Sequence, residues 1–211
     1  MRTITKRVEP ASLAQYRASG NTTYEDYQDK DTLRISLVNE QRGLCCYCLS
    51  PIRPESAAMR IEHWHSQWAY PAEALDYANL LGACLGGEGQ PWTKQHCDVR
   101  KGKRNLSKNP ATPMHRVAEL LRFRGDGQII SDNPTFDQEI NDVLNLNGAF
   151  LRSNRKSALD GFLGMVRKRG DLSRITLERW LRDWNGESDS GQLHPFCQVV
   201  VYWLRKRLAR V

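Results

Sequence analysis

A chain of 211 residues, 40% apolar and 26% charged, reads as an ordinary globule of one domain with elaborations, long enough to bury a real core. Residues 1–10 carry charge without an apolar run, and the longest apolar stretch, 193–204, is broken by His194, Pro195 and Gln198. A signal peptide and a membrane span are therefore not expected, and a cytoplasmic location is. The net charge of +7 is concentrated: between positions 94 and 124, nine Lys or Arg face Asp98 and Glu119, so nine minus two puts +7 in that window alone. Such a strip suits either a polyanion, most commonly nucleic acid, or a solvated charged face.

Taken in order, residues 1–29 are polar and weakly patterned, with Leu13 and Tyr16 marking a short helix. Asp31 is expected to cap a helix whose apolar positions are Leu33, Ile35, Leu37 and Val38 and whose stop is Gly43. Residues 1–43 thus form an N-terminal helical scaffold that delivers the chain to Cys45.

Five of six cysteines fall between positions 45 and 97, and without a secretion signal such clustering argues for metal ligands rather than disulfides. Cys45 and Cys48 have the C-x2-C spacing that points two thiolates of one turn at one ion; Cys84 and Cys97 are the expected second pair of a closed, structural zinc site. Gly86, Gly87 and Gly89 are expected to make the loop between them flexible. Cys46 is a spare thiol, and His96 is a candidate substitute ligand. Buried free cysteines, or a zinc ribbon without catalysis, are the alternative readings.

Between the pairs, Pro51, Pro54 and Ser56 mark a turn, 59–64 a strand, 72–77 a helical turn leading to Asn79-Leu80-Leu81, and 98–105 a helix start. The order strand, strand, helix, with thiols at the base, occupies 44–110. Asn109-Pro110 to Pro113 reads as a linker. In 111–211, Gly125-Asp126-Gly127 between Phe123 and Ile129 signals a hairpin. Helical spacing follows at Ile140, Val143, Leu144, then Leu159, Phe162, Leu163, Val166, and again over 198–208. Trp180, Trp184 and Trp203 are read as core or partner contacts. There are no repeats and no phosphate-cradling Gly-Lys-Ser motif.

The fragments Ile61-Glu62-His63-Trp64, Tyr77-Ala78-Asn79-Leu80-Leu81-Gly82-Ala83-Cys84 and His96-Cys97-Asp98-Val99-Arg100-Lys101-Gly102 resemble the HNH endonucleases. Within these they resemble the PtuB subgroup of Septu-type and retron-associated antiphage systems, the likeness extending weakly through Leu144-Asn145-Leu146-Asn147 and the C-terminal helix. The resemblance implies an α+β, mostly helical fold: a zinc-stapled ββα-metal (HNH) core with helical N- and C-terminal elaborations. It implies His63 as general base, its unperturbed pKa near 6.5 allowing it to take a proton from water at neutral pH. Glu62 and Asp98 would ligate a catalytic Mg²⁺ or Mn²⁺, and Asn79 would pin the loop that presents the histidine. A histidine satisfied inside a core is the plainer reading of His63.

Two departures stand out. His65-Ser66-Gln67 replaces the basic residue and proline common after the histidine, leaving His65 as a phosphate contact or rival ligand. Asp98 stands where the family has Asn or His, adding charge that would repel phosphate. Lys101, Lys103 and Arg104 are expected backbone contacts for a bound strand. The implied function is phosphodiester hydrolysis of DNA as the nuclease effector of an antiphage system. The implied partners are a PtuA-like ATPase subunit, docking on the helical C-terminal region, and a retron reverse transcriptase with its msDNA, with no membrane. A nuclease cutting RNA such as tRNA by the same mechanism is the alternative, as is a non-catalytic zinc-ribbon adaptor that binds nucleic acid.

Overall fold

A computed structural model describes residues 1–20, 23–170, 172–188 and 191–210. Helix α1 (Ala11–Ala18) buries Leu13, and α2 (Lys30–Glu40) buries Leu33, Leu37 and Val38. The cap of α2 is Asp29, whose carboxylate accepts from the Thr32 N–H at 3.3 Å. Asp31, the expected cap, instead lies in the first turn and pairs with Arg34. Ile35 also departs from expectation: at two residues from Leu33 it falls off the helical stripe and is 48% exposed. Gly43 adopts φ +79° and donates its N–H to Val38 O, ending the helix as expected.

From there the chain enters the thiol turn, closed by Cys45 N–H to Ser50 O at 2.9 Å and Leu49 N–H to Cys45 O at 3.2 Å. Strands β1 (Arg60–His63) and β2 (Leu80–Ala83) pair antiparallel, with Glu62 opposite Leu81 and His63 opposite Leu80. The buried Gln41 amide acts as a third strand beside β2, accepting from Gly82 N–H at 2.6 Å and donating to Gly82 O and Leu44 O at 2.8 Å. A Cβ on Gly82 would stand 2.9 Å from Ile52 Cδ1, so the ends of the side chains packed there would have to shift to admit one.

Helix α3 (Cys97–Lys101) is only five residues long and stops at Gly102, φ +56°, so the helix expected over 98–105 is shorter than its polar run. The glycines between Cys84 and Cys97 form a closed turn rather than a flexible loop. His96 N–H donates to Gly86 O at 2.8 Å, and a Cβ on Gly86 would meet His96 O at 2.3 Å.

Val117–Leu120 (α4) leads into the expected hairpin, β3 (Leu121–Phe123) against β4 (Ile129–Ser131). Helix α5 (Pro134–Gln138) continues through a π turn, Glu139–Val143, into Leu144-Asn145-Leu146-Asn147. That tetrapeptide is a clasp. Leu144 and Leu146 are fully buried, while the Asn145 amide donates to Gln95 O at 2.8 Å and Thr93 O at 3.1 Å, holding the thiol loop. Asn147 exchanges two bonds with the Ile129 backbone, holding the hairpin.

Helices α6 (Ala149–Arg169), α7 (Arg174–Asn185) and α8 (Cys197–Leu208) complete the described chain. They form their own cluster, in which Phe162 meets Trp180, Trp184 and Trp203 edge-on at 5.5–5.7 Å. The main core, by contrast, gathers Met1, Ile4, Val38, the thiols, Leu81, Leu121, Phe136, Leu144 and Leu151. The 109–113 stretch does not divide two cores: Asn109 and Pro110 are buried, and Pro110 O accepts from Ile4 N–H at 2.8 Å. No helix among the described residues is long and apolar enough to cross a membrane.

Because three tryptophans close on one ring that is 3% exposed, Phe162→Ala should lower unfolding free energy by about 3–5 kcal/mol. Urea denaturation checks this; a loss below about 1 kcal/mol would show that the aromatic cluster is not a close-packed core.

Candidate active site and metal centre

Four sulfurs converge where the thiol turn, the end of β2 and the start of α3 meet. The Sγ atoms of Cys45, Cys48, Cys84 and Cys97 are buried and lie within 4.8 Å of one another, with Cys48 to Cys84 at 3.6 Å and Cys45 to Cys97 at 3.9 Å. Tetrahedral coordination with sulfur bonds near 2.3 Å requires edges of about 3.8 Å, which these two distances approach, so the set could hold a metal ion such as zinc. Burial opposes ionisation of Cys45 and Cys48, yet hydrogen bonds from neighbouring thiols hold Cys45 well below the ordinary thiol range and Cys48 at about 6. Cys46 lies outside the set, its thiol pushed up by burial. His96 is not among the four converging residues; its Nδ1 lies beside them, 3.2 Å from Cys97 Sγ.

The thiol centre organises the acid–histidine dipeptide through residues a few positions away from its own ligands. Tyr47, between the two thiols of the turn, donates its hydroxyl to Glu62 Oε1 at 2.7 Å. Lys101, one helical turn after Cys97, places its ammonium 2.7 Å from the same oxygen and donates to His63 O at 2.9 Å. Asp98 follows Cys97 directly, and its Oδ2 accepts from Arg60 Nε at 2.6 Å. Glu62 is 2% exposed. Burial, then the charge of Asp98, raises its carboxyl well above the usual carboxylate range despite Lys101. Burial also opposes ionisation of Asp98, but the hydrogen bond with Glu62 and the Arg60 guanidinium outweigh it and hold that carboxyl low. The two acids face each other as a carboxyl–carboxylate pair, oxygen donors suited to a hard divalent cation.

His63 is 7% exposed. Its Nε2 lies 3.0 Å from Ala74 O and therefore carries the proton, while Nδ1, 3.1 Å from Gln67 Nε2, accepts. Burial lowers its pKa below the usual 6.5, so the ring is neutral at pH 7. Asn79 sits beneath the loop 64–79, accepting from His65 N–H at 2.7 Å and donating to His65 O at 3.0 Å and Glu73 O at 3.2 Å. Glu62, His63 and Asp98 line one cleft of about 340 Å³, along with Arg60, Gln67, Trp68 and Lys103.

Three expected nucleic-acid contacts lie elsewhere. Lys101 is 1% exposed and spent on Glu62, so it is a buried counter-charge and not a surface cation. Arg104 caps α3 and the π turn, donating to Lys101 O, Asp142 O and Val143 O. His65 pairs with Glu73 at 2.6 Å and stacks on Tyr70, outside the cleft lining. Lys103 alone of the basic trio is exposed at the cleft. Sequence reading passed over Arg60, Gln67 and Trp68. Arg60 was findable, since it sits two residues before Glu62 on a strand and so shares its face; Gln67 and Trp68 reach the cleft only through the irregular loop.

No protein-family profile matches the chain. Among curated proteins it is similar to Septu protein PtuB of Bacillus thuringiensis, 25% identical over 146 residues, covering 66% of this chain and 49% of that protein. It is also similar to a protein of Escherichia coli named "Retron Ec83 putative HNH endonuclease", 28% identical over 99 residues, covering 41% of this chain and 38% of that one. The chain thus spans half or less of the length of these relatives, and both support an HNH nuclease of the PtuB type.

The sulfur geometry predicts one equivalent of tightly held zinc per chain by elemental analysis. Cys84→Ser should lose the metal and most cooperative unfolding, since binding energy at such sites is folding energy, whereas Cys46→Ser should keep both. Loss of metal in both variants, or in neither, contradicts the ligand set.

Proposed function

We propose that the chain is a divalent-cation-dependent HNH endonuclease hydrolysing phosphodiester bonds of nucleic acid. In this reading it serves as the nuclease effector of an antiphage system working with a PtuA-like ATPase subunit, in some settings beside a retron reverse transcriptase and its msDNA. The observation that carries the proposal is the shared cleft: a neutral imidazole with a fixed tautomer lines the same space as an apposed carboxyl–carboxylate pair.

In this reading residues 44–110 form the ββα-metal nuclease core, 1–43 its scaffold and 111–211 the region where the ATPase subunit docks. Ala74 O fixes the proton on His63 Nε2 and leaves Nδ1 as the base. Gln67 gives up its contact with Nδ1 to the attacking water, whose proton Nδ1 then takes; Ala74 O stabilises the imidazolium that results. Asn79 positions the ring by holding the loop. A Mg²⁺ or Mn²⁺ held by Glu62 and Asp98 would supply charge stabilisation for the phosphate and the leaving 3′ oxygen.

The charge count favours this arrangement. With both acids ionised, Lys101 and Arg60 face three carboxylates, because Arg60 also pairs with Glu88 at 2.8 Å, so the cluster carries one net negative charge and an added dication would turn it net positive toward a phosphate. Arg60 thus answers the repulsion expected of Asp98. DNA is the proposed polymer, and RNA cut by the same chemistry is the second arm of the test.

Purified protein, with and without its ATPase, should cut plasmid DNA in Mg²⁺ or Mn²⁺ and not in EDTA, with total RNA assayed in parallel. His63→Ala should lower the rate by about 10²–10⁴ with zinc content and thermal midpoint unchanged. Absence of any metal-dependent cutting by wild type would leave a zinc-ribbon binding module, and an unchanged rate in His63→Ala would assign the base to another residue. The pH dependence has a definite sign. A general base must be neutral, and burial holds His63 below 6.5, so the acid limb it sets in a pH–rate profile at saturating Mn²⁺ should fall below 6.5. A limb centred above 7 would assign the base elsewhere.

A further inference from the structure

Beside the hydrolytic cleft lies a second cavity of about 340 Å³, walled by Tyr24, Pro71 and Ala74. Glu25, Gln67 and Trp68 line both, so the two spaces adjoin at the tryptophan. Trp68 is 73% exposed, unlike Trp180 at 4% in the helical cluster. Among the described residues no other ring packs on its indole. The Lys103 ammonium stands 5.1 Å from the ring centroid. An exposed indole with a cation beside it, set between apolar walls and a hydrolytic centre, is a combination that recognises a planar heterocycle attached to a phosphate.

Resting on the nuclease reading above, we propose that Trp68 is the stacking platform for an unpaired nucleobase. The second cavity receives that base, so the preferred substrate presents a single-stranded or flipped-out nucleotide next to the scissile phosphate. A base inside a duplex is stacked on both faces and cannot reach the indole without leaving the helix. Lys103, at the cleft rim, contacts the backbone phosphate of the same nucleotide, while Glu25 and Gln67 offer polar atoms to the base edge. A protein partner fits the position less well, because a side chain seated on Trp68 would fill the entrance to the cleft that holds His63.

The test measures binding and cleavage separately. Fluorescence anisotropy of a short labelled oligonucleotide, without added Mg²⁺ or Mn²⁺ so that it stays intact and the thiol site is not stripped by a chelator, compares wild type, Trp68→Ala and Trp68→Phe on the single strand and on its duplex. The alanine variant should weaken single-strand binding about tenfold, the phenylalanine variant only about twofold, with duplex binding unmoved. In Mn²⁺, wild type should cut the single strand or a bulged duplex faster than the perfect duplex, and Trp68→Ala should lose that preference. Equal binding of the single strand by wild type and Trp68→Ala, or equal losses on strand and duplex, overturns the platform. Unchanged binding combined with lost co-purification of the ATPase subunit overturns it in favour of a protein contact. If wild type cuts nothing while the binding differences appear, the nuclease reading fails and the platform stands; cutting with no Trp68 effect gives the reverse.

Discussion

Convergence of four buried sulfurs on one point is the constraint from which the rest of the site follows. Cys45 and Cys48 come from the turn after α2, Cys84 from the end of β2 and Cys97 from the start of α3. No local hydrogen-bond pattern would bring these pieces together, since β1–β2 is a two-stranded sheet of four residues a side and α3 is five residues long. Elements this short are marginal alone in water, so the buried core around the four sulfurs holds them together, and an ion held there would add to that cohesion. Covalent proximity then places Asp98, directly after a third ligand, in the cleft lining, and sets Tyr47, between two ligands, and Lys101, one turn on, buried against Glu62.

A second constraint is electrostatic. Two carboxyls are held against each other with little solvent, and one ammonium lies buried among them. Buried charges persist only when paired or when a group gives up its charge, and Glu62 takes the second course, its carboxyl raised by burial and by Asp98. The cost of that arrangement is stability, because a pair of apolar residues would be easier to bury. Its gain is a site with oxygen donors already in place, open to a cleft, with a neutral imidazole on the adjoining strand position. Lys101 and Arg60 keep the total near balance and so keep the pocket foldable without a cation.

Much of this was legible in the sequence because it rests on spacing. The C-x2-C turn and the Gly-Asp-Gly hairpin each encode a short-range geometry and lie where that geometry requires, while the acid–histidine dipeptide and the asparagine before β2 were marked by the family resemblance and lie on β1 and just before β2. What failed was anything set by long-range packing. Composition marks Lys101 and Arg104 as surface cations, but burial against Glu62 and against carbonyls of the π turn is decided by residues about forty positions away. Glycines that looked like hinges at 86 and 87 are instead demanded by close backbone approach and positive φ. Helix α7, with Leu177, Trp180 and Trp184 three and four apart, carries a periodic signal that marks it as a helix in the sequence.

The central claim is that a thiol-held ion builds a second, oxygen-lined cation site facing His63. Anomalous diffraction from crystals soaked in Mn²⁺ tests it directly, because data taken on either side of the zinc edge and near the manganese edge distinguish the two metals at defined positions. The account predicts a zinc peak among Cys45, Cys48, Cys84 and Cys97 and a separate manganese peak between Glu62 and Asp98 in the cleft. A zinc peak with no manganese density at the two carboxylates, or manganese bound with His63 turned out of that cleft, would contradict it.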